Sequence, residues 1–123
     1  MEYISTPNAP AAIGPYSQAV KSNCFLFVSG QTGFVPSTGE TADDTIETQA
    51  EQVMLNIKAI LEEAGSGFDK VVKTSCFLAD IDDFAVFNKI YEKYFISKPA
   101  RSCVAAKDLP KHIRCEVEVI AEL

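Results

Sequence analysis

The spacing of apolar residues between positions 46 and 64 constrains the fold more than any other feature of this sequence. These residues recur every three or four positions, as on the buried face of an α-helix: Ile46, Ala50, Val53, Met54, Ile57, Ile60, Leu61 and Ala64. Asp43 or Asp44 can cap the start of such a helix, and Gly65 suits the left-handed position that follows its end. The pattern predicts a helix over about residues 45–64 that packs one side against a core.

A second, shorter stripe predicts another helix between Asp82 or Asp83, which can cap it, and Pro99, which stops it. Its apolar residues are Phe84, Phe87, Ile90, Tyr91, Tyr94 and Phe95. Short segments rich in β-branched, aromatic or alternating apolar residues predict strands; these are residues 19–20, 24–29, 71–79, 101–106 and 113–123. This order predicts an α+β sandwich in which two helices pack on one face of a mixed sheet. We expect oligomerisation to cover the other face, which carries several polar residues.

Length and composition narrow the class of protein. A chain of 123 residues suits one domain, which we expect to span residues 1–123. The formal net charge of −6, with no two adjacent Lys or Arg residues, disfavours nucleic acid as a partner. No cluster of His, Cys or carboxylate residues has the spacing of metal ligands, so we expect no bound metal. Three of the four cysteines lie in apolar, strand-like runs, and the chain is large enough not to need disulfides, so we expect a reducing compartment. No apolar run approaches the ~20 residues of a membrane span and no signal-peptide pattern is present, so a cytoplasmic location is predicted.

Few residues are candidates for chemistry. The only histidine, His112, is a weak candidate as a base for Cys103. Arg101, in the motif Pro-Ala-Arg-Ser-Cys, has the planar fork that binds a carboxylate through two parallel hydrogen bonds; an exposed or ion-paired arginine is the alternative. Glu116 lies on the polar face of the last strand, where it either orients or deprotonates a water molecule or is merely solvated. Tyr16, in a loop rich in glycine and proline, either lines a pocket or packs locally.

Four stretches of the chain together are similar to the Rid/YjgF family. The first is residues 8–19, Asn-Ala-Pro-Ala-Ala-Ile-Gly-Pro-Tyr-Ser-Gln-Ala, and the second is residues 28–31, Val-Ser-Gly-Gln. The third contains Asn56, Ala64-Gly65 and the strand start Val-Val-Lys-Thr at 71–74. The fourth is Pro-Ala-Arg-Ser-Cys-Val at 99–104, followed by Leu109-Pro110 and Glu-Val-Glu at 116–118. Each stretch is common alone, but their combination and order are specific.

The resemblance implies a chorismate-mutase-like fold that assembles as a homotrimer with pockets between subunits. It also implies an activity that needs no cofactor, the hydrolysis of 2-iminopropanoate or 2-iminobutanoate to the 2-keto acid and ammonia. Arg101 would hold the substrate carboxylate, Glu116 would position the attacking water, and the backbone near Cys103 would contribute to the same pocket. The remaining implied residues are the walls Tyr16 and Phe84, expected from the neighbouring subunit, and the floor Ser29 and Gly30.

One position departs from the family pattern. Many relatives carry an aromatic residue before the Pro-Ala-Arg motif, where this chain has Lys98 after a short loop. The departure predicts a more open or more cationic pocket rim. Three alternative functions stay open: a carboxylate or keto-acid sensor without turnover, an RNA-directed translation inhibitor, and a structural or chaperone-like trimer. The presence of both Arg101 and Glu116 favours an enzyme, because a sensor needs only the arginine.

Overall fold

Helix α1, Ile46–Glu63, confirms the long amphipathic segment. Its N-cap is Thr45, whose Oγ1 accepts a hydrogen bond from the backbone N–H of Thr48 at 3.1 Å. The expectation of an aspartate cap was wrong, because the residue directly before the first helical turn supplies the cap, and Asp44 instead accepts a hydrogen bond from Arg114. Gly65 has a φ of +78°, the left-handed conformation that suits a glycine after a helix.

The computed structural model describes all residues from 1 to 123. Helix α2 spans Phe84–Tyr94. The strands are β1 Glu2–Ile4, β2 Ala19–Ser22, β3 Phe25–Gln31, β4 Phe34–Val35, β5 Glu40–Thr41, β6 Val71–Leu78, β7 Ala100–Ala105 and β8 Cys115–Glu122. Neither helix is long and apolar enough to cross a membrane.

Three local features differ from the sequence predictions. Strands β1, β4 and β5 were not predicted, because runs of two or three residues show no measurable periodicity. Cys24 lies in the two-residue turn between β2 and β3 rather than in a strand, since Asn23 has a φ of +54° and Ser22 pairs with Phe25. Strand β8 starts two residues later than predicted, after the consecutive left-handed residues Lys111 and His112.

Six strands form one mixed sheet in the order β1-β2-β3-β8-β6-β7. Strands β6 and β7 are parallel, and every other neighbouring pair is antiparallel. Helix α2 connects the parallel pair, and β7 is an edge strand. The remaining strands β4 and β5 form a separate two-stranded hairpin. The predicted α+β architecture with a mixed sheet and two helices is therefore confirmed.

The two faces of the sheet differ in burial. A cluster of 24 buried residues joins the inner sheet face to α1 and α2, with Val117, Leu78 and Phe87 fully buried. The outer face carries the polar side chains of Glu116 and Glu118, but it also exposes apolar ones. Phe27, for example, is 45% exposed. This outer face is therefore more apolar than the sequence suggested, which is typical of a surface that contacts another chain.

Candidate functional site

Arg101 lies on the inner face of the edge strand β7, beside helix α2. Its Nη1 donates a hydrogen bond to Oδ1 of Asn88 at 2.7 Å. The centre of its guanidinium lies 4.6 Å from the ring centroid of Tyr91 and 5.4 Å from that of Phe84. The hydroxyl of Tyr91 is in turn hydrogen-bonded to Oγ1 of Thr74 at 2.7 Å, on the neighbouring strand. The aromatic rings and the amide therefore hold the guanidinium in one orientation.

The positive charge of Arg101 has no protein counter-ion. No carboxylate lies within 4.0 Å of its guanidinium. The hydrogen bond to Asn88 uses one of five N–H donors, which leaves a pair for a planar anion. The side chain also lines a cavity of about 530 Å³ with Tyr91, Phe95 and Lys98. The ion-paired alternative for Arg101 is thus excluded within the chain, and the arrangement suits a carboxylate ligand.

Asn88 and Tyr91 were not singled out as site residues from the sequence. Both lie on α2 with Phe84, at spacings of four and then three residues, so that all three share one face of the helix. The available signal was Asn88 itself, a polar residue between two aromatic residues of an otherwise apolar stripe. Phe84 was expected to reach the site from a neighbouring subunit, but its ring lies beside Arg101 of its own chain.

Cys103 follows Arg101 on the same face of β7, in register with Cys76 of β6. Burial raises the pKa of the Cys103 thiol, and burial raises the pKa of the Cys76 thiol to about 12. Both side chains are therefore neutral thiols at physiological pH, and a neutral thiol is a poor nucleophile. The side chain of the only histidine, His112, is 91% exposed, and its Nδ1 lies 3.8 Å from Oδ1 of Asp108. Neither Cys76 nor Cys103 is therefore an activated nucleophile.

Glu116 lies on the opposite, outer face of the sheet, next to Gly30 of β3. A Cβ added at Gly30 would overlap Oε1 of Glu116 and lie 3.0 Å from its Cδ. Burial, followed by the like charge of Glu118, raises the pKa of the Glu116 carboxyl. Glu118 is two residues further along β8 and hence on the same face. A half-buried carboxyl with a raised pKa is suited to exchange a proton with water.

Ser29 and the loop that carries Tyr16 adjoin this outer-face position. The Oγ of Ser29 donates a hydrogen bond to the carbonyl of Ser17 at 2.5 Å. The buried Gln18 holds the preceding segment through bonds to the backbone of Thr6, Ala9 and Pro10. Tyr16 itself is 55% exposed. The loop is thus anchored at its base, whereas the Tyr16 ring is free to contact another molecule.

Arg101 and Glu116 do not meet within one chain. Strands β7 and β8 flank β6 on its two sides, so the two residues are separated by roughly 10 Å across the strands. In addition, the two residues are offset along β6, because Arg101 pairs with Thr74 whereas Glu116 pairs with Phe77. Their side chains also project from opposite faces, because Arg101 contacts α2 and Glu116 alternates with the core residues Cys115 and Val117. The chain therefore carries two separate candidate half-sites, one around Arg101 and one around Glu116.

Gly30→Ala tests the close approach of β3 to the Glu116 carboxyl. We expect little loss of stability, because the added Cβ displaces a flexible carboxylate rather than backbone, and a loss of about 10-fold or more in any turnover that depends on Glu116. Activity and thermal unfolding measured on the same sample check this. Gly65→Ala is the control, since its φ of +78° makes the substitution destabilising at a position with open space around it. Wild-type kcat in Gly30→Ala would contradict the role of this contact.

Comparison with known proteins identifies the family to which the chain belongs. The family model described as Endoribonuclease L-PSP matches residues 6–123. The chain belongs to this family, also known as the Rid/YjgF family. The sequence resemblance is therefore confirmed.

Individual relatives carry different names. Reactive Intermediate Deaminase A of the Arabidopsis thaliana chloroplast is 46% identical over 99% of this chain and 66% of its own length. A candidate regulator of Lactococcus lactis, AldR, is 55% identical over 100% of this chain and 98% of its own. The crystal structure of Escherichia coli TdcF with bound serine is 38% identical, covers 100% of this chain and 99% of its own, and has a TM-score of 0.95. This chain is thus similar both to a deaminase and to a protein described as a regulator.

Proposed function

We propose that the protein is a deaminase of small 2-imino acids such as 2-iminobutanoate and 2-iminopropanoate. In this reaction the oxygen of water bonds to the imine carbon, and the C=N π electrons move to nitrogen, which is protonated. The resulting amino alcohol then expels ammonia as the C=O bond forms. The products are the 2-keto acid and ammonia, and no oxidant, reductant or cofactor is consumed.

The observation that carries this proposal is the free, oriented charge of Arg101. A guanidinium held by Asn88 and by two aromatic rings, without a counter-ion, is preorganised for a carboxylate. A 2-imino acid presents a carboxylate on the carbon next to its C=N bond, so this anchor places the reacting carbon at a fixed distance. The name of the 46% identical chloroplast relative, Reactive Intermediate Deaminase A, points to the same chemistry.

The complete site needs two copies of the chain. If Arg101 anchors the substrate and Glu116 positions the water, a four-carbon substrate can contact both only where the half-sites of two subunits face each other. Contact between two subunits would bury the exposed Tyr16 and the apolar side chains of the outer sheet face, which favours such an association. This requirement supports a homo-oligomer with inter-subunit pockets, of which the homotrimer is the form that the family resemblance implies.

A competition assay tests the proposed activity. Threonine dehydratase generates 2-iminobutanoate in the presence of semicarbazide, which traps the imine as an absorbing semicarbazone. A deaminase competes for the imine and lowers the rate of semicarbazone formation in proportion to its concentration. Unchanged semicarbazone formation at a large excess of the protein would refute the deaminase proposal and leave the family assignment intact.

The pH dependence of activity tests the role of Glu116. Because its carboxylate is the proposed active form, activity is lost as pH falls through its raised pKa. In Glu118→Gln one cause of the raised pKa is removed, so the pKa falls and the acid limb of kcat/KM moves to lower pH. The pH profile of kcat/KM checks this, with Glu63→Gln on the exposed end of α1 as control. An acid limb that stays in place in Glu118→Gln would exclude Glu116 as its origin.

A carboxylate-binding regulator without turnover is the second candidate. It is favoured by the relative AldR and by the fact that the Arg101 cavity exists within a single chain without Glu116. In that case a 2-keto acid binds and the binding depends on Arg101, but the semicarbazone signal is unaffected. The RNA-directed alternative gains no support from the net charge of −6.

A further inference from the structure

Lys98 lies in a rigid turn beside Arg101. Its φ is +52°, and its backbone N–H donates a hydrogen bond to the carbonyl of Phe95 at 3.1 Å. On either side the chain is fixed, by the bond from Ser97 Oγ to the carbonyl of Val71 at 2.7 Å and by the ring of Pro99. A left-handed backbone is uncommon for a lysine. The surrounding bonds therefore fix the backbone of Lys98, and the residue lines the same cavity as Arg101.

The residues that line the cavity carry a net positive charge, which favours anionic ligands. Its charged lining residues are Arg101, Lys98 and Glu92. None of the three has an oppositely charged partner within 4.0 Å. Two cations and one carboxylate leave one positive charge in excess. Once Arg101 binds a carboxylate, Lys98 remains available to a second anionic group.

The volume of the cavity suits a ligand larger than the smallest imino acids. Its volume of about 530 Å³ lies in the range that holds ligands well above four carbons in size. Ile96, which is 66% exposed, and the partly exposed Pro99 supply an apolar surface in the same cavity for methylene groups. Two residues, Pro99 and Ala100, separate Lys98 from Arg101, so their Cα atoms are at most roughly 11 Å apart and both long side chains can reach one ligand.

We propose that this cavity selects 2-imino dicarboxylates, with Arg101 on the carboxylate next to the C=N bond and Lys98 on the distal carboxylate. The imine of glutamate, which has two methylenes between the imine carbon and the distal carboxylate, is the reference compound of this class. The inference rests on the proposed deaminase function for its reaction, but the ligand preference itself can be measured without turnover. Lys98 acts here on specificity and takes no part in the addition of water.

Binding of stable 2-keto acids tests the preference directly. Isothermal titration of the intact protein with 2-oxoglutarate and with 2-oxobutanoate gives the ratio of their Kd values. We expect the wild type to bind 2-oxoglutarate more tightly. Lys98→Met, which keeps the length of the side chain and removes its charge, should weaken 2-oxoglutarate binding by about five-fold. Binding of 2-oxobutanoate should be unchanged.

Two further variants sharpen the comparison. Glu92→Gln removes the opposing carboxylate and should tighten 2-oxoglutarate binding, the opposite direction to Lys98→Met. Lys89→Met removes the same charge from an exposed position of α2 outside the cavity and should leave both Kd values unchanged. Equal effects of Lys89→Met and Lys98→Met, or an unchanged Kd ratio in Lys98→Met, would overturn the proposed preference.

Turnover separates this inference from the deaminase proposal. If the wild type lowers the semicarbazone signal of 2-iminobutanoate but its Kd ratio is insensitive to Lys98, the deaminase function stands and the dicarboxylate preference fails. If no imine is hydrolysed but Lys98→Met selectively weakens 2-oxoglutarate binding, the ligand class stands and the deaminase function fails. Both stand if kcat/KM for the imine of glutamate falls in Lys98→Met by the same factor as the affinity for 2-oxoglutarate.

Discussion

Replacement of Arg101 by alanine is expected to lower kcat/KM for 2-iminobutanoate by about 100- to 1,000-fold, the effect of deleting one partner of a hydrogen-bonded charge pair. The variant loses the only cation that is clamped between an amide and two aromatic rings. The substrate carboxylate then has no fixed partner, and the imine carbon is no longer held in register with the attacking water. The semicarbazide competition assay measures the loss.

The same variant should fold normally. Arg101 is on an edge strand and is only half-buried, so its removal opens no cavity in the core of α1, α2 and the inner sheet face. Circular dichroism and the oligomeric state should match the wild type. Arg101→Lys is the matched variant, because it keeps the charge but loses the planar fork, and its activity should lie between those of the wild type and the alanine variant. Wild-type kcat/KM in Arg101→Ala would remove Arg101 from the mechanism.

The half-site around Glu116 was partly predictable from sequence. The alternation of Cys115, Val117 and Val119 with glutamates assigned Glu116 to the polar face of its strand, and the structure agrees. What the pattern could not show was the neighbour on the next strand. The approach of Gly30 depends on the pairing of β3 with β8 and on the register shift between Val28 and Gln31. Such pairing joins residues far apart in the chain, about which local periodicity carries no information.

The surroundings of Arg101 were harder to predict. Strand β7 reads Ala-Arg-Ser-Cys-Val-Ala, which has no alternation of apolar and polar residues, so its sequence does not tell which face the guanidinium occupies. The inner position follows from the parallel register of β7 with β6 and from helix α2, which places Asn88 within hydrogen-bond distance. The family motif supplied the residue, but only tertiary structure shows that Arg101 and Glu116 are on opposite faces.

Because Arg101 and Glu116 lie on opposite faces of the sheet, two variants that are each inactive are expected to restore activity when they are mixed in one oligomer. Arg101→Ala keeps the Glu116 half-site, and Glu116→Ala keeps the Arg101 half-site. If each site pairs one half from each of two subunits, mixed oligomers of the two variants contain sites with both halves intact. In every mixed trimer, whichever variant contributes two of the subunits, one of the three sites pairs an intact Arg101 with an intact Glu116. Activity should therefore rise from near background to about a third of the wild-type value, since each intact site acts alone.

Co-expression of the two variants with different affinity tags, followed by purification through both tags, yields the mixed oligomers for the competition assay. The double variant Arg101→Ala/Glu116→Ala, co-expressed with wild type, is the matched control, because it dilutes active subunits without creating complementary pairs. Activity that stays at background in mixed oligomers of the two single variants would show that one chain supplies both residues to each site. That outcome would require Arg101 or Glu116 to leave its position in the free chain, because here the two residues lie on opposite faces of the sheet and on either side of β6. Recovered activity would instead show that the catalytic site exists only between subunits, so that assembly itself controls deamination.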